Sequence, residues 1–480
     1  MMNNNCYIKE LLLQFSSMPR DAIALSCYDG TAVTDFTYEK FTSDILCAAG
    51  YFRDQHIRDQ HIALVAPNSY NWLVAFFAIT ASGNVAVMLN PVTPADWPSQ
   101  IAFADVSIIC GNCTSLETLP ANSIDVRRLT YDHLRSVHPF TTEDIVCPSP
   151  ETTSILMFTS GTTGKSKVVE FSYENMWHSM DFQEEAYATP GASRFLLVLP
   201  MSHIGGIRCA ISMLRKKMVL CVGRGPKYLF ADLPILNPSC VSMVPAMMES
   251  LVKILKQCDT DEKRRQIIGY NLNTISYGGA YVKPSVCRDL TNLGIIIEVG
   301  YGMTETTGVG TWGKWDEAHS TSVGKAYGNF ECRVQDGEIL IKGPFVIKGY
   351  YKDPKETAKI TDNGWIHTGD MGHFDSDGFL YITGRKKNVI ILSNGENVNP
   401  EEIEEILYSC SAVLECIVYG SPKGICADFY AQDQETITEY VRQYNAGVPL
   451  YRQIYKSNFS PIPLERTPSG KLKRKENKFE

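Results

Sequence analysis

Nine consecutive residues, Thr159-Ser160-Gly161-Thr162-Thr163-Gly164-Lys165-Ser166-Lys167, crowd hydroxyls, glycines and lysines directly after an apolar run over 155–158. In a glycine-rich turn of this kind, successive backbone N–H groups can ring phosphate oxygens, while hydroxyls and ammonium groups add donors and positive charge. The chemistry implied is phosphate binding. The segment is not a G-x-x-x-x-G-K-[ST] loop, because only two residues separate Gly161 from Gly164 and Val168-Val169-Glu170-Phe171 reads as strand rather than helix. Other groups are ambiguous when taken singly. Lys471, inside the basic run Arg466 to Lys475, reads by itself as a solvated tail, although a Pro468-Ser469-Gly470 turn precedes it. Thr368-Gly369-Asp370 alone is a turn, and a lone His203 is more often a satisfied core histidine. Cys110 and Cys113 form one C-x-x-C with no second pair, a weak signal for metal or redox chemistry.

The elements that must carry these groups follow from hydropathy patterning. Residues 38–53 have helical spacing, and the apolar runs 62–66 and 85–89 read as strands, an alternation that predicts α/β layers. The run 72–81 is far shorter than a bilayer span of roughly 20 residues and reads as a buried helix. A second α/β stretch covers 150–330, with strands expected at 155–159, 195–199 and 295–299. From 331 to 384 short strands and turns dominate, marked by Asp336-Gly337, Asp362-Asn363-Gly364 and Asp377-Gly378. A boundary is expected after Gly384, giving domains 1–384 and 385–480; Pro400 followed by Glu401, Glu402, Glu404 and Glu405 suits a helix start in the smaller one. The fold class expected is α/β: a large N-terminal region of several subdomains, with layered α/β sheets and a β-rich part, plus a small mobile α+β C-terminal lid. Arg53-Asp54-Gln55-His56-Ile57 recurs at once as Arg58-Asp59-Gln60-His61-Ile62, a local duplication in a surface connection and not a solenoid period.

Composition narrows the function. With 480 residues, 44% hydrophobic and 20% charged, the chain has material for two or more cores. A formal net charge of -8 argues against broad nucleic-acid binding, which lysines and arginines carry. The N-terminus lacks the basic and apolar regions of a secretory signal, so a cytoplasmic location without transmembrane segments is expected. Fifteen cysteines, an odd number, fit reduced thiols better than a disulfide framework.

The phosphate-binding stretch and Tyr301-Gly302-Met303-Thr304-Glu305-Thr306-Thr307-Gly308 closely resemble motifs of the adenylate-forming superfamily of acyl-CoA synthetases, carrier-loading adenylation domains and luciferases. The resemblance continues in order through Thr368-Gly369-Asp370, Gly384-Arg385-Lys386-Lys387-Asn388-Val389-Ile390, the stretch from Asn394 to Glu404, and Thr467-Pro468-Ser469-Gly470-Lys471; with Phe36-Thr37-Tyr38 and Asn90-Pro91 it spans essentially the whole chain. It implies ATP-dependent activation of a small-molecule carboxylic acid to acyl-AMP, with Mg²⁺, then acyl transfer to the thiol of CoA or, alternatively, of a carrier-protein phosphopantetheine. A nucleotide-binding protein without turnover is the rival of another class, opposed by the joint presence of Lys165, Glu305, Asp370 and Lys471.

Residue roles implied by the resemblance are specific. Thr159, Ser160, Gly161, Thr162, Thr163, Gly164 and Lys165 would hold phosphates; Gly279, Ala280, Tyr301, Gly302, Met303 and Ile382 would line the adenosine site, with Tyr301 stacked on adenine. Thr304 would bond the α-phosphate, Glu305 would hold Mg²⁺, and Asp370 would accept the ribose hydroxyls with Arg385 assisting. Lys471 would be the catalytic lysine of adenylation and Lys387 the hinge of the lid, with the active site in the cleft between the domains. His203, Met243, Tyr277 and Gly278 would line the acid pocket, joined for the thiol by Gly395 and Asn397. No aspartate stands between Phe195 and Arg224 to pair an ammonium, so an acid with an uncharged acyl or aryl tail is favoured. The Ser202-His203-Ile204-Gly205-Gly206 stretch is also similar to that of o-succinylbenzoate–CoA ligases, where Arg208 could pair a second carboxylate. Three departures from the pattern stand out: Val299 replaces an Asn or Gln, Glu331 to Val334 keeps a loose form of the usual segment, and Gly420-Ser421-Pro422-Lys423-Gly424 replaces a longer one. The last bears on how a CoA nucleotide would be recognised.

Overall fold

The computed structural model describes residues 6–112, 122–130, 132–134, 137–159, 167–185, 193–326, 328, 330–392, 396–466 and 472–475. The chain divides into two compact units, Met1–Ser320 with Gly324–Glu331 and Ile341–Ile366, and Thr321–Val323 with Cys332–Leu340 and His367–Glu480.

Helices of the first unit form where capping and an apolar stripe coincide. Tyr38–Asp54 begins at Thr37, whose hydroxyl accepts from the Lys40 amide at 3.1 Å, and buries Phe41, Ile45, Ala48, Ala49 and Phe52 along one face. Tyr70–Ala81 is capped by Ser69 and is apolar all round, which demands burial on every side; Trp72 to Ala81 are all buried. The duplicated pentapeptide spans the exit from the first helix and the entry to the His61–Val65 strand, with His56 and Asp59 both in left-handed backbone. Among the described residues, no helix is long and apolar enough to cross a membrane.

Two sheets organise this unit. One has six strands in the order Asn122–Asp125, Ile108–Gly111, His61–Val65, Val85–Met88, Thr153–Thr159, Lys167–Ser172, parallel until the last pair, which is antiparallel with Thr159 opposite Lys167. The second runs Lys325–Ala326, Gly310–Lys314, Ile296–Gly302, Thr274–Gly278, Cys240–Met243, Arg194–Leu197, Val219–Val222, Ile23–Tyr28, Val33–Thr37. Its middle strands are parallel and nearly wholly buried, as parallel strands covered on both faces must be. The expected strands at 62–66, 85–89, 155–159, 195–199 and 295–299 are present to within a few residues. The β-rich stretch also holds a short helix, Pro354–Ile360, started by the Asp353 cap.

In the second unit, a three-stranded sheet pairs Val413–Ser421 antiparallel with Gly424–Ala431, which runs parallel to Ile454–Ser460. Ile403 and Leu407 of helix Pro400–Tyr408, and Ile437 and Val441 of helix Gln434–Ala446, share its core with Val418 and Phe429. Pro400 opens its helix with Glu401 and Glu402 in the first turn. The replaced segment is a tight turn at Pro422-Lys423, closed by the Ser421 hydroxyl donating to the Gly424 carbonyl at 2.7 Å.

One crossing in the nine-stranded sheet leaves no room for a side chain. Gly302 and Gly310 face each other across antiparallel strands, and a Cβ at Gly310 would stand 2.2 Å from the Tyr301 carbonyl oxygen. Gly310→Ala must push these backbones apart, an overpacking cost of roughly 1–3 kcal/mol. Equilibrium denaturation should show a loss of that size, with a smaller penalty for Gly447→Ala, whose negative φ suits alanine and whose added carbon would meet its nearest neighbour at 3.6 Å.

Candidate active site

Four neighbouring parallel strands of the nine-stranded sheet end on one side, and sequence-selected residues gather at those ends: Met243 closes Cys240–Met243, Tyr277 and Gly278 close Thr274–Gly278, and Tyr301 and Gly302 close Ile296–Gly302. Cross-strand register aligns Met243 with Tyr277 and Tyr277 with Val299. Strand Arg194–Leu197 leads through Pro200 to His203, the N-cap of helix Ile204–Arg215. Carboxyl ends of parallel strands are where open α/β sheets bind ligands. Met243 and Tyr277 are buried, while Gly279 and Ala280 are exposed beside them. His203 is reachable by solvent, yet burial among the surrounding protein lowers its pKa, so its ring is neutral at neutral pH.

The stretch after Tyr301 is built by its own hydroxyls. Thr304–Thr306 makes one 3-10 turn, and the Gly308 amide returns to the Met303 carbonyl at 2.8 Å. Thr307 takes a left-handed φ of 50°, costly for a β-branched residue. Its buried hydroxyl donates to the Phe345 carbonyl at 2.6 Å and holds it there. Thr306 and Thr307 are buried, whereas Tyr301, Met303, Thr304 and Glu305 remain partly open. Supporting side chains face inward and candidate reacting ones outward.

Glu305 is held at both ends. Its carbonyl accepts from the Ile347 amide at 3.1 Å, and its Oε1 accepts from the Tyr350 hydroxyl at 2.7 Å. Burial, then the Glu305 charge, raises the Tyr350 pKa, so the phenol stays a donor. Lys167 lies over the Tyr350 ring, 4.7 Å from its centroid, and pairs with Glu356 at 2.7 Å. The Tyr351 amide bonds the Val168 carbonyl, which stitches this segment to the edge of the six-stranded sheet. Among the described residues Glu305 Oε2 accepts no hydrogen bond, and no three acidic, His or Cys side chains cluster as a metal cage. One oriented carboxylate with an open oxygen fits Mg²⁺, which takes one or two carboxylates and completes its shell with water and phosphate.

In the second unit, Asp370 is buried and pairs with Arg385 across adjoining strands, Oδ1 to Nε at 2.6 Å. The Asp370 amide donates to the Thr368 hydroxyl, itself bonded to the Ile339 carbonyl at 2.7 Å. Glu338 completes the support by accepting from the Gly369 amide, His367 and Lys386. Ile382 lies on the Leu380–Arg385 strand opposite Gly372, and Lys387 lies in the single 3-10 turn Lys386–Asn388 that follows.

Ser160, Gly161, Thr162, Thr163, Gly164, Lys165, Asn394, Gly395 and Lys471 lie outside the described residues. Asn397 is exposed on the short strand Asn397–Val398. On either side of Lys471, acids of the second unit anchor the chain. Glu415 accepts from the Leu464 amide at 2.7 Å and pairs with Arg466, and Arg466 bridges to Leu472. Arg474 forks onto Glu404 and reaches Glu401, while Lys475 pairs with Asp428. Burial lifts the Glu404 pKa to about 7 against the pull of Arg474.

Sequence reasoning missed Tyr350, Glu338, Glu356 and these anchoring acids. Tyr350 stands in the ordinary string Gly349-Tyr350-Tyr351-Lys352, and nothing in its spacing points 45 residues back to Glu305. Glu338 was visible only as part of a strand after a turn.

Comparison with known proteins bears on the whole length. The model of the AMP-binding enzyme family matches residues 14–351, and that of the AMP-binding enzyme C-terminal domain matches 387–479. The chain is 30% identical over 443 residues to a 2-succinylbenzoate–CoA ligase of Oceanobacillus iheyensis, covering 86% of this chain and 88% of that one. It is 31% identical over 291 residues to the putative acyl–CoA ligase YdaB of Bacillus subtilis, a match covering 57% of this chain and only 56% of the relative. Among solved structures, the o-succinylbenzoate CoA synthetase MenE of Bacillus subtilis with its acyl-adenylate intermediate superimposes with a TM-score of 0.80 over 96% of both chains at 24% identity, a likeness of fold. Matched over most of its length by these models and this relative, the chain belongs to the AMP-binding enzymes of the adenylate-forming superfamily.

Proposed function

We propose that the chain activates a carboxylic acid with ATP to acyl-AMP, releasing pyrophosphate, and transfers the acyl group to the thiol of CoA. The observation that carries this reading is the oriented Glu305 carboxylate, fixed by Tyr350 and without a partner for Oε2 among the described residues, beside partly exposed Tyr301 and Thr304 at and just after the end of the Ile296–Gly302 strand. Relatives named as CoA ligases support the acid–thiol ligase class.

In this reading Tyr301 stacks on adenine and Thr304 donates to the α-phosphate. Thr159 to Lys165 hold the phosphates. Glu305 would hold Mg²⁺, which when bound would supply charge compensation to the phosphate oxygens. Buried Asp370, backed by Arg385, accepts the ribose hydroxyls, an acceptor-only task. His203, neutral at physiological pH, stands with Met243, Tyr277 and Gly278 at the acid pocket, where a charged imidazolium would trap the carboxylate instead of releasing it to attack. Lys471 brings an ammonium to the carboxylate and the α-phosphate during adenylation only. Residues 385–480 act as the lid and Lys387 as its hinge, so that Gly395 and Asn397 serve the thiol in the second step.

Pyrophosphate release across a panel of acids, followed by thioester formation with free CoA and with a phosphopantetheinylated carrier protein, tests the overall reaction. Thioester with CoA supports the reading; transfer to the carrier alone would replace CoA as acceptor. Lys471→Ala should nearly abolish acyl-AMP formation and spare thioester formation from supplied acyl-adenylate; equal loss of both half-reactions would remove Lys471 from this role. Tyr350→Phe frees Glu305 to rotate. Losing a hydrogen bond to a charged group costs roughly 1.5–3 kcal/mol. The Mg²⁺ concentration for half-maximal pyrophosphate release should therefore rise about tenfold or more, and an unchanged Mg²⁺ dependence would show that Tyr350 does not position the carboxylate.

A further inference from the structure

Two cysteines far apart in the chain meet where helix Tyr7–Ser16 begins. Cys6 is the N-cap of that helix, and its Sγ lies 3.4 Å from the Sγ of Cys147. The fold holds the backbone on both sides of this contact. The helix buries Tyr7, Leu11, Leu12 and Phe15, with the Phe15 ring centroid 5.2 Å from that of Tyr38 and 6.0 Å from that of Phe77. On the other side, the Val146 amide donates to the Ala81 carbonyl at 2.9 Å, and the Val146 side chain fills the space that a Cβ at Gly83 would need. Lys9 pairs with Glu143 at 3.2 Å, a second tie between the same two segments.

The two thiols are not equivalent. Among the described cysteines only Cys147 is exposed, whereas Cys6 is buried. Burial pushes the Cys6 thiol up to about 12, so it stays protonated at neutral pH and is a poor target for an oxidant in solution. An oxidant therefore meets Cys147 first. We propose that Cys6 and Cys147 form an oxidisable dithiol, which hydrogen peroxide closes to a disulfide that staples the start of the first helix to the segment leading into the Thr153–Thr159 strand. In the first step the Cys147 thiolate attacks one peroxide oxygen; the O–O bond breaks, hydroxide leaves and Cys147 becomes a sulfenic acid. In the second the Cys6 sulfur attacks the Cys147 sulfur; the S–O bond breaks, and the Cys6 proton leaves with the hydroxyl as water. The dithiol gives up two electrons, and the peroxide is reduced to two molecules of water. Because the sulfurs are already in contact, the second step is unimolecular and needs an approach to about 2.05 Å, not a rearrangement of the chain.

The test starts from wild-type protein that is reduced, freed of reductant and titrated with hydrogen peroxide. Remaining thiols are alkylated in denaturant, and the peptides are mapped by mass spectrometry without reductant. The expected product is a cross-linked pair of peptides holding Cys6 and Cys147, found in monomeric protein and lost when dithiothreitol is added. Dimedone present during oxidation traps sulfenic acid. In Cys6→Ser, where serine is a favoured N-cap residue, the dimedone adduct at Cys147 should rise at least about tenfold over wild type, because the resolving sulfur is gone. In Cys147→Ser, Cys6 should remain a free thiol. Cys147 joined to another cysteine or to a second chain, or oxidised further while Cys6 remains a free thiol, overturns the proposal. So does a Cys147 that stays reduced throughout the peroxide titration, or an equal dimedone adduct in wild type and folded Cys6→Ser. The wild-type map decides the matter if either variant fails to fold.

Discussion

The Gly302–Gly310 crossing, where the Tyr301 carbonyl comes within 2.2 Å of the place a Cβ would occupy, is the constraint from which the rest of the first unit's site follows. Two antiparallel strands can approach so closely only without side chains between them. The close approach fixes the end of the Ile296–Gly302 strand, and the chain must then turn sharply to come back as Gly310–Lys314. That turn is the 3-10 segment with Thr307 in left-handed backbone, and it directs Thr304 and Glu305 outward while Thr306 and Thr307 are buried beneath. Hydrogen bonds from buried hydroxyls hold a conformation that backbone preference alone disfavours.

Charges are distributed on the same plan in both units: a functional group is held in place by a polar or charged neighbour. Tyr350 orients Glu305, and Lys167 with Glu356 fixes the Tyr350 ring. Arg385 faces Asp370, and Glu338 ties down the turn from Thr368 to Asp370 with three donors. In the C-terminal stretch Glu415, Glu404 and Asp428 clamp Arg466, Arg474 and Lys475 on either side of Lys471.

How far the residues could be read in advance depended on the range of the interaction. Local signals were legible: the helical spacing over 38–53, the apolar run 72–81 as a buried helix, and the alternation that makes two layered sheets. Motif residues at strand ends, such as Tyr301 and Tyr277, were found through the family resemblance, and the sheet sets Tyr277 in register between Met243 and Val299, while Tyr301 lies further along the strand of Val299. The short Pro422-Lys423 turn was seen as a departure, and its hairpin explains how the strands join without a longer segment. Long-range partners were not legible, because Tyr350 and Glu338 are distinguished from other tyrosines and glutamates only by folding.

The central claim is that this site joins a carboxylate to AMP. Acid-dependent exchange of labelled pyrophosphate into ATP measures that step in reverse and without any thiol, so it is independent of the acceptor. The account predicts exchange that requires both Mg²⁺ and a carboxylic acid, proceeds without CoA, and is accompanied by an acyl hydroxamate when hydroxylamine is present. Formation of ADP and phosphate, or a total absence of exchange across the acids that the protein binds, would contradict it.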